Sequence, residues 1–291
     1  MPVSFVIISK DEPALDATLG ALEREQASLP CASEIVVVDA SAGRLDGIRE
    51  AHPPVRWHDF APSPGVATSI PQQRNLGVRL ARGEIVAFTD CGCLPEPGWA
   101  AALLAPILAG EETVTVGRAT GRGRANIYRH ASSDGAEYLS ECPTINLAFT
   151  RVAFEDVGGF DERFAYGSDI DFSWRLVRAG HRLRSVPEAV VSVDWGSPRR
   201  QLRRAWSYGR ARARLYRKHR SRLRVAWRSD PVPFAYGAYV LGLPLALLSP
   251  WYLGLLAVPA LRNREGPTAL TLIDHLLLGA GFVRELAAPG R

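Results

Sequence analysis

The stretch VSFVIISKDEPALDATLGALEREQASLPCASEIVVVDAS, residues 3–41, decides the fold class. Residues 3–9 (VSFVIIS) and 34–40 (EIVVVDA) are continuous apolar runs of strand length, the pattern of strands buried on both faces. Between them, residues 14–27 (ALDATLGALEREQA) space their apolar side chains helically. Two buried strands around one helix make a βαβ unit, which favours a parallel sheet. Outward from this unit, VRWHDF (55–60) reads as a third strand and IPQQRNLGVRLAR (70–82) as a helix stopped by Gly83. EIVAFTD (84–90) is a strand ending in an acid, WAAALLAPIL (99–108) a helix and TVTVGRA (113–119) a strand. Residues 120–140 are rich in Gly, Ser and Arg and break the alternation as a mobile loop does. INLAFTR (145–151), VAFEDVGG (152–159), DIDFSWRLVRAG (169–180) and LRSVPEAVVSVDW (183–195) follow as strand, short helix, amphipathic helix and strand.

The 291 residues suffice for one or two domains at about 150 residues each. That length supports a core without a disulfide or metal staple. An apolar fraction of 47% with 22% charged residues excludes a disordered chain. Four cysteines, Cys31, Cys91, Cys93 and Cys142, argue against a disulfide scaffold and fit a reducing compartment. The N-terminal MPVSFVIISKDEP reads as a strand rather than a secretory signal.

The net charge of +5 hides a division. Residues 1–198 carry a net −8, residues 199–228 carry 13 Lys and Arg with no acid, and residues 229–291 are balanced. Residues 231–261 hold no charged side chain over 31 positions, more than the roughly 20 a membrane-crossing helix needs. Pro233, Pro244, Pro250 and Pro259 interrupt that run, and a second apolar stretch, 267–283, carries Asp274 and His275.

Ligands of open α/β sheets sit beyond the carboxyl ends of the strands. Three such ends are polar here: Ser9-Lys10-Asp11, Asp39-Ala40-Ser41 and Thr89-Asp90. Carboxylates there can accept hydrogen bonds from a base or ribose, or help hold a metal. They can equally cap the helices that follow, and position alone does not choose. No GxGxxG follows the first strand and no GxxxxGK[ST] occurs, so neither a dinucleotide fold nor a P-loop has support. Cys91 and Cys93 lack a second ligand pair and read as small packing residues. Asp169 and Asp171 begin a helix; on their own they are two N-terminal helix acids.

Four motifs taken in order change that balance. VSFVIISKDE, EIVVVDAS, QQRNLGVRLARGEIVAFTDCGCLPEPGW and NLAFTRVAFEDVGGFDERFAYGSDIDFSWRLVRAG together resemble the family 2 glycosyltransferases of GT-A fold, over residues 3–195. The resemblance implies an α/β, Rossmann-like domain with a mostly parallel central sheet flanked by helices. It implies inverting transfer of a sugar, of hexosyltransferase type (EC 2.4), from a nucleotide-diphosphate donor to a hydroxyl. Ser9 and Asp39 match the family's contacts to the donor nucleoside, with Asp11 and Ser41 in the same loops. Asn75, within RNLG, matches a packing and donor-site position. Asp90 matches the first acid of the DxD motif, and Asp169 the acid of the Glu-Asp motif, hence the catalytic base. Asp171 lies in the same signature. A base there has a physical rationale: a helix N-terminus favours negative charge, and a carboxylate can take the proton of the attacking hydroxyl.

The departures from the pattern also carry information. The second DxD acid is Gly92, the Glu of the Glu-Asp pair is Ser168, and the histidine often found after the last strand is replaced around Val193 and Asp194. The resemblance implies Mg or Mn, but with these losses only Asp90 and Asp194 remain as candidate ligands, and transfer without metal is the alternative. Basic side chains can neutralise a leaving diphosphate instead.

The expected organisation is a GT-A domain at 1–198, a basic juxtamembrane helix at 199–230 and apolar membrane-associated helices at 231–291. Basic residues directly before an uncharged run suit the cytoplasmic face of a cell membrane with anionic lipid, contacted through 199–228, better than nucleic acid. SYGRARARLYRKH resembles a segment of the succinoglycan-type branch, which extends lipid-linked saccharides in bacterial polysaccharide biosynthesis; Arg210, Arg212 and Arg214 become candidates for the acceptor's diphosphate. The acceptor expected is a lipid-linked or membrane-delivered glycan. A homo-oligomer through the tail and a non-catalytic nucleotide- or glycan-binding scaffold are the competing readings.

Overall fold

The computed structural model describes residues 1–62, 69–122, 135–194, 196–256 and 268–288. The described residues form two compact units, one within residues 1–194 and one within 195–291. Residues 123–134 of the Gly-, Ser- and Arg-rich stretch, Trp195, and 257–267 of the apolar segments lie outside the described residues.

The first unit is built on the expected βαβ core. Strand β1 (Val3–Ser9) pairs in parallel with β2 (Ser33–Asp39) across the helix α1 (Leu15–Ala27). Beyond β2, after the short helix α2 (Asp46–Ala51), lies β3 (Arg56–Asp59), also parallel. On the other edge of β1, following α3 (Ile70–Leu80), runs the parallel β4 (Ile85–Thr89). Then come β5 (Cys93–Pro95), α4 (Trp99–Leu108), β6 (Val114–Arg122), β7 (Tyr138–Leu139) and β8 (Asn146–Thr150). Helices α5 (Arg151–Asp156) and α6 (Ser168–Arg178) and strand β9 (Leu183–Asp194) complete the unit.

The strand order is β3-β2-β1-β4-β8-β6-β9-β5, with β7 on β9. Strand β8 runs antiparallel to both β4 and β6, and β5 and β7 run antiparallel to β9. Six of the nine strands, β1, β2, β3, β4, β6 and β9, run one way and β8, β5 and β7 the other, so the sheet is mostly parallel as expected, with three reversed strands. Parallel neighbours need a crossover of a dozen or more residues, usually helical. Helix α1 supplies one between β1 and β2, whereas the segment leading into β8 carries no helical period in its sequence.

Both faces of the sheet are buried. Val6, Val36, Val86 and Phe88 face a cluster with Val78 of α3 and Leu176 of α6. Within it the rings of Phe88, Phe149, Phe154, Phe160 and Phe172 pack with centroids 4.4 to 6.0 Å apart. On the other face Phe5 meets Trp99 at 5.6 Å, and the Trp99 Nε1–H donates to Asn146 Oδ1 at 2.8 Å. Helix α3 seats directly on β1 because residue 77 is glycine: a side-chain carbon there would collide with Val6. The buried Glu25 carboxylate accepts from the Gly98 and Ala100 N–H groups (3.0 and 2.8 Å), satisfying donors at the start of α4.

The second unit holds α7 (Pro198–Lys218), a 3-10 turn at Arg220–Arg222, α8 (Leu223–Ser229), α9 (Pro231–Leu241) and α10 (Thr268–Leu286), with two further 3-10 turns at Leu243–Leu247 and Pro250–Leu256. The stretches read separately as 199–230 and 231–291 thus share one unit. No helix among the described residues is long and apolar enough to cross a membrane. The uncharged run instead breaks into α9 and the two turns, and Pro244 and Pro250 sit at or beside the starts of those turns. Helices α7 and α10 approach closely at Gly209, where a Cβ would overlap the Leu278 carbonyl, and at Gly281, where it would overlap that of Trp206. Phe234 of α9 and Phe282 of α10 stack edge to face at 5.1 Å.

Two expectations follow for this unit. Gly209→Ala should cost about 2 kcal/mol by overpacking, read as a lowered urea midpoint, while Gly254→Ala, with open space around it, serves as the neutral control. Glu285 of α10 supplies the second. Burial would raise its carboxyl, but hydrogen bonds from Arg214 (2.6 Å) and Arg210 (2.7 Å) outweigh that and hold it below the ordinary 4.5. A depressed acid stabilises the fold above its unfolded value and loses that contribution as pH falls through the lowered one. Glu285→Gln should therefore flatten the loss of thermal stability below pH 4.5 compared with the unaltered chain.

Candidate functional site

The parallel register aligns the ends of β1 and β2, with Ser9 opposite Asp39. Beyond that point the chains turn apart, and one hydroxyl holds the two loops together. Ser41 Oγ donates to Asp39 Oδ1 at 2.6 Å and accepts from the Asp11 N–H at 2.7 Å. Asp11 occupies the left-handed region at φ 54° to make that contact. Its carboxylate pairs with Arg44 Nε at 2.6 Å, and Arg44 holds the Asp11 carboxyl below its usual range. Asp39 is 2% exposed, and its carbonyl accepts from the Phe60 N–H.

The neighbouring strand end joins this strip. The Cys91 thiol donates to the Ile8 carbonyl at 3.2 Å and lies beside the Ser9 hydroxyl. Burial pushes the Cys91 thiol up to about 12 and raises Cys93 as well, so both stay neutral packing groups. The turn after Thr89 closes with the Cys93 N–H on the Asp90 carbonyl (3.1 Å). Gly92 is left-handed at φ 83° and donates its N–H to Thr18 Oγ1 at 2.9 Å. Any L residue carrying a second carboxylate there would be strained.

Arg74, which the sequence reading passed over, connects this turn to α6. It is 7% exposed. One terminal nitrogen donates to Ser168 Oγ at 3.2 Å, the other stands 3.9 Å from Asp90 Oδ1, and the guanidinium lies 5.6 Å from the Phe160 ring centroid. Its Nε–H has no hydrogen-bond partner among the described residues. The signal was present in the sequence. Arg74 stands four residues before Val78, so it shares the core-facing stripe of α3.

Ser168 opens α6 after the left-handed Gly167. Asp169 follows it, half-buried, with Oδ1 accepting from the Ile170 N–H at 2.9 Å. A continuous strip therefore runs from Asp11, Ser41, Asp39 and Ser9 through Cys91 and Asp90 to Arg74, Ser168 and Asp169.

Three expected residues lie off that strip or are engaged elsewhere. Asp171 is fully buried; it pairs with Arg175 Nε at 2.8 Å, and Arg175 in turn donates to the Val157 and Gly159 carbonyls. Asn75 spends its amide on the loop before α6. It donates to the Phe160 carbonyl and Glu162 and accepts from the Phe160 N–H, each at 2.9 Å. Asp194 is exposed at the end of β9, where the pairing of Cys93 with Val193 sets it level with Gly92.

Asp90 and Asp194 are the two candidate metal ligands at this end of the sheet. Among the described residues no group of three or more His, Cys, Asp or Glu side chains could hold a metal ion. Gly92 contributes no side-chain oxygen. The side chains of the described residues therefore do not by themselves complete a divalent site. The arginines read as acceptor ligands are likewise engaged, Arg210 and Arg214 with Glu285 and Arg212 with Asp230 at 3.2 Å.

Comparison with known proteins agrees on one family. The sequence pattern of Glycosyl transferase family 2 matches residues 4–160, and that of Glycosyl transferase family group 2 matches 125–265. The pre-mycofactocin glycosyltransferase of Mycobacterium tuberculosis is 31% identical over 222 residues, 68% of this chain and 45% of the relative. The succinoglycan biosynthesis protein ExoA of Rhizobium meliloti is 33% identical over 150 residues, 46% of this chain and 44% of the relative. The chain thus spans less than half the length of each. Among solved structures, the mannosyltransferase PcManGT from Pyrobaculum calidifontis, in complex with GDP-Man and Mn2+, superposes with a TM-score of 0.67. It is 20% identical and the match covers 98% of this chain and 87% of that one, a likeness of fold.

The two acids of α6 should separate on mutation. Asp171→Asn leaves the Arg175 charge without its buried partner and should cost about 3 kcal/mol in chemical denaturation, whereas Asp169→Asn should leave the midpoint within about 0.5 kcal/mol of the unaltered chain.

Proposed function

The chain belongs to glycosyl transferase family 2, and we propose that it moves a hexose from a nucleoside-diphosphate donor to a hydroxyl of a lipid-linked or membrane-delivered glycan. Transfer inverts the anomeric centre, at the cytoplasmic face of a membrane. The observation that carries this reading is Arg74, which ties Asp90 on the donor side to Ser168, the residue before Asp169.

Each part of the strip has a task in this reading. Asp39, held by Ser41, accepts from the donor's base or ribose hydroxyls, and Ser9 lines the same wall. Asp90 lies against the ribose and diphosphate. Asp169 is a carboxylate on the first turn of α6, where the aligned N–H groups favour its charge. It takes the proton from the acceptor hydroxyl as the oxygen attacks the anomeric carbon and the carbon–oxygen bond to the diphosphate breaks. Asp171 acts as a positioning residue through Arg175, fixing the loop that precedes α6.

The leaving diphosphate carries off the electron pair and needs positive charge. The family pattern implies a divalent cation, which would supply that charge when bound. The side chains of the described residues do not complete such a site, so no step is assigned to it. Arg74 is buried beside Asp90 with hydrogen-bonding capacity to spare, and its fixed charge in a low-dielectric setting stabilises the departing phosphate.

One observation favours the second reading, a nucleotide- or glycan-binding scaffold: glycine replaces an acid at position 92. Turnover separates the two. Release of nucleoside diphosphate from a panel of UDP- and GDP-sugars, with water or a glycan as acceptor, should be measurable for the unaltered chain. It should fall about 10²-fold or more in Asp169→Asn. Arg74→Gln should also lose about 10²-fold, with Arg74→Lys recovering part. Binding of nucleotide without turnover, with or without manganese, would favour the scaffold, and an unchanged rate in Asp169→Asn would remove that residue as the base.

A further inference from the structure

We propose that the second unit lies on an anionic bilayer and inserts the turns at 243–256 into the headgroup region as a shallow wedge, without crossing. This stands apart from the chemistry above, because it concerns residues of the second unit alone and its test needs neither donor nor acceptor.

The argument begins with exposure. Leu247, Leu248 and Trp251 are 90%, 84% and 88% exposed, and Leu241, Leu243, Leu245, Leu253 and Leu255 are exposed as well. Large apolar side chains scattered singly on a surface are ordinary, but a contiguous set is not. The set is contiguous in the chain, and no charged residue interrupts 231–261. It also continues along α9. Pro231, Ala235, Ala238 and Leu241 are the exposed positions of that helix, and they recur at spacings of three and four. The stripe ends at α8, where Leu223, Val225 and Trp227 are exposed.

Charge decides the occupant. Arg220, Arg224 and Arg228 are exposed in and just before α8, beside the apolar stripe. A basic rim next to exposed Leu, Val and Trp matches an interface in which arginines meet lipid phosphates while the apolar side chains enter the acyl boundary. Two exposed tryptophans, Trp227 and Trp251, suit the same zone. A second copy of this chain would bring the same arginines against themselves, and like charges opposed across an interface are repulsive.

The depth follows from backbone chemistry. Helix α9 has 11 residues, about 16 Å at 1.5 Å per residue, roughly half the hydrocarbon thickness. Short 3-10 turns leave carbonyl and N–H groups unpaired at both ends, which the hydrocarbon core does not tolerate. The headgroup region supplies water and phosphate partners, so the turns stop there.

The test is cosedimentation of the full chain with vesicles of phosphatidylcholine alone and of phosphatidylcholine with phosphatidylglycerol. The unaltered chain should pellet with the anionic vesicles. The combined variant Leu247→Ser, Leu248→Ser and Trp251→Ser should bind at least about tenfold more weakly, with thermal stability unchanged because all three side chains are outside the core. Replacing Arg220, Arg224 and Arg228 by Gln should remove the preference for anionic lipid and leave residual binding to both vesicle types. Equal binding by the serine variant overturns the wedge. So does a dimer, seen by light scattering without vesicles, that the serine variant dissociates, because the patch then belongs to a second copy.

Discussion

A guanidinium buried in the first unit sets much of what surrounds it. A charge taken out of water must find partners, or the fold pays several kcal/mol. Arg74 finds them in two places far apart in sequence, the Asp90 carboxylate after β4 and the Ser168 hydroxyl at the start of α6. Asn75, the next residue, fixes the loop before α6 through three hydrogen bonds. Gly77, two further on, lets the helix carrying both press against Val6. The short motif RNLG is thus a mechanical part: charge, amide and missing side chain together clamp α6 to the carboxyl ends of the central strands.

The legible portion of this arrangement was the portion written in local pattern. Residues 3–9 and 34–40 announce buried strands because each is an unbroken apolar run, and 14–27 announces a helix by its period; all three form as read. Ser9 opposite Asp39 follows from two parallel strands of similar length. Strand direction is not written locally. Residues 145–151 are as apolar as any parallel strand, yet β8 runs antiparallel, since direction depends on the route of the connection.

Side-chain partnership was the other thing composition concealed. Asp169 and Asp171 look alike as helix-opening acids, but a two-residue step in a helix turns the second inward, where Arg175 at the next turn awaits it. The i,i+4 spacing was visible; burial was not. In the same way Arg210 and Arg214 looked like free cations in a basic run. Their partner, Glu285, lies about seventy residues on in the folded pair of α7 and α10. A block of like charge is a poor guide to which members are spent on structure.

The substitutions at positions 92 and 168 make most sense together. The motif pattern that the sequence resembles has an acid at each, and both positions neighbour Arg74's partners: Gly92 is in the turn that starts at Asp90, and Ser168 accepts from Arg74 directly. Two carboxylates there would call for added positive charge, and one at 168 would neutralise Arg74. With glycine and serine instead, the local balance shifts toward the cation, whose Nε–H has no hydrogen-bond partner among the described residues. In the reading proposed above, Arg74 is then the group that balances the charge of the departing phosphate, and that reading stands or falls on this one residue.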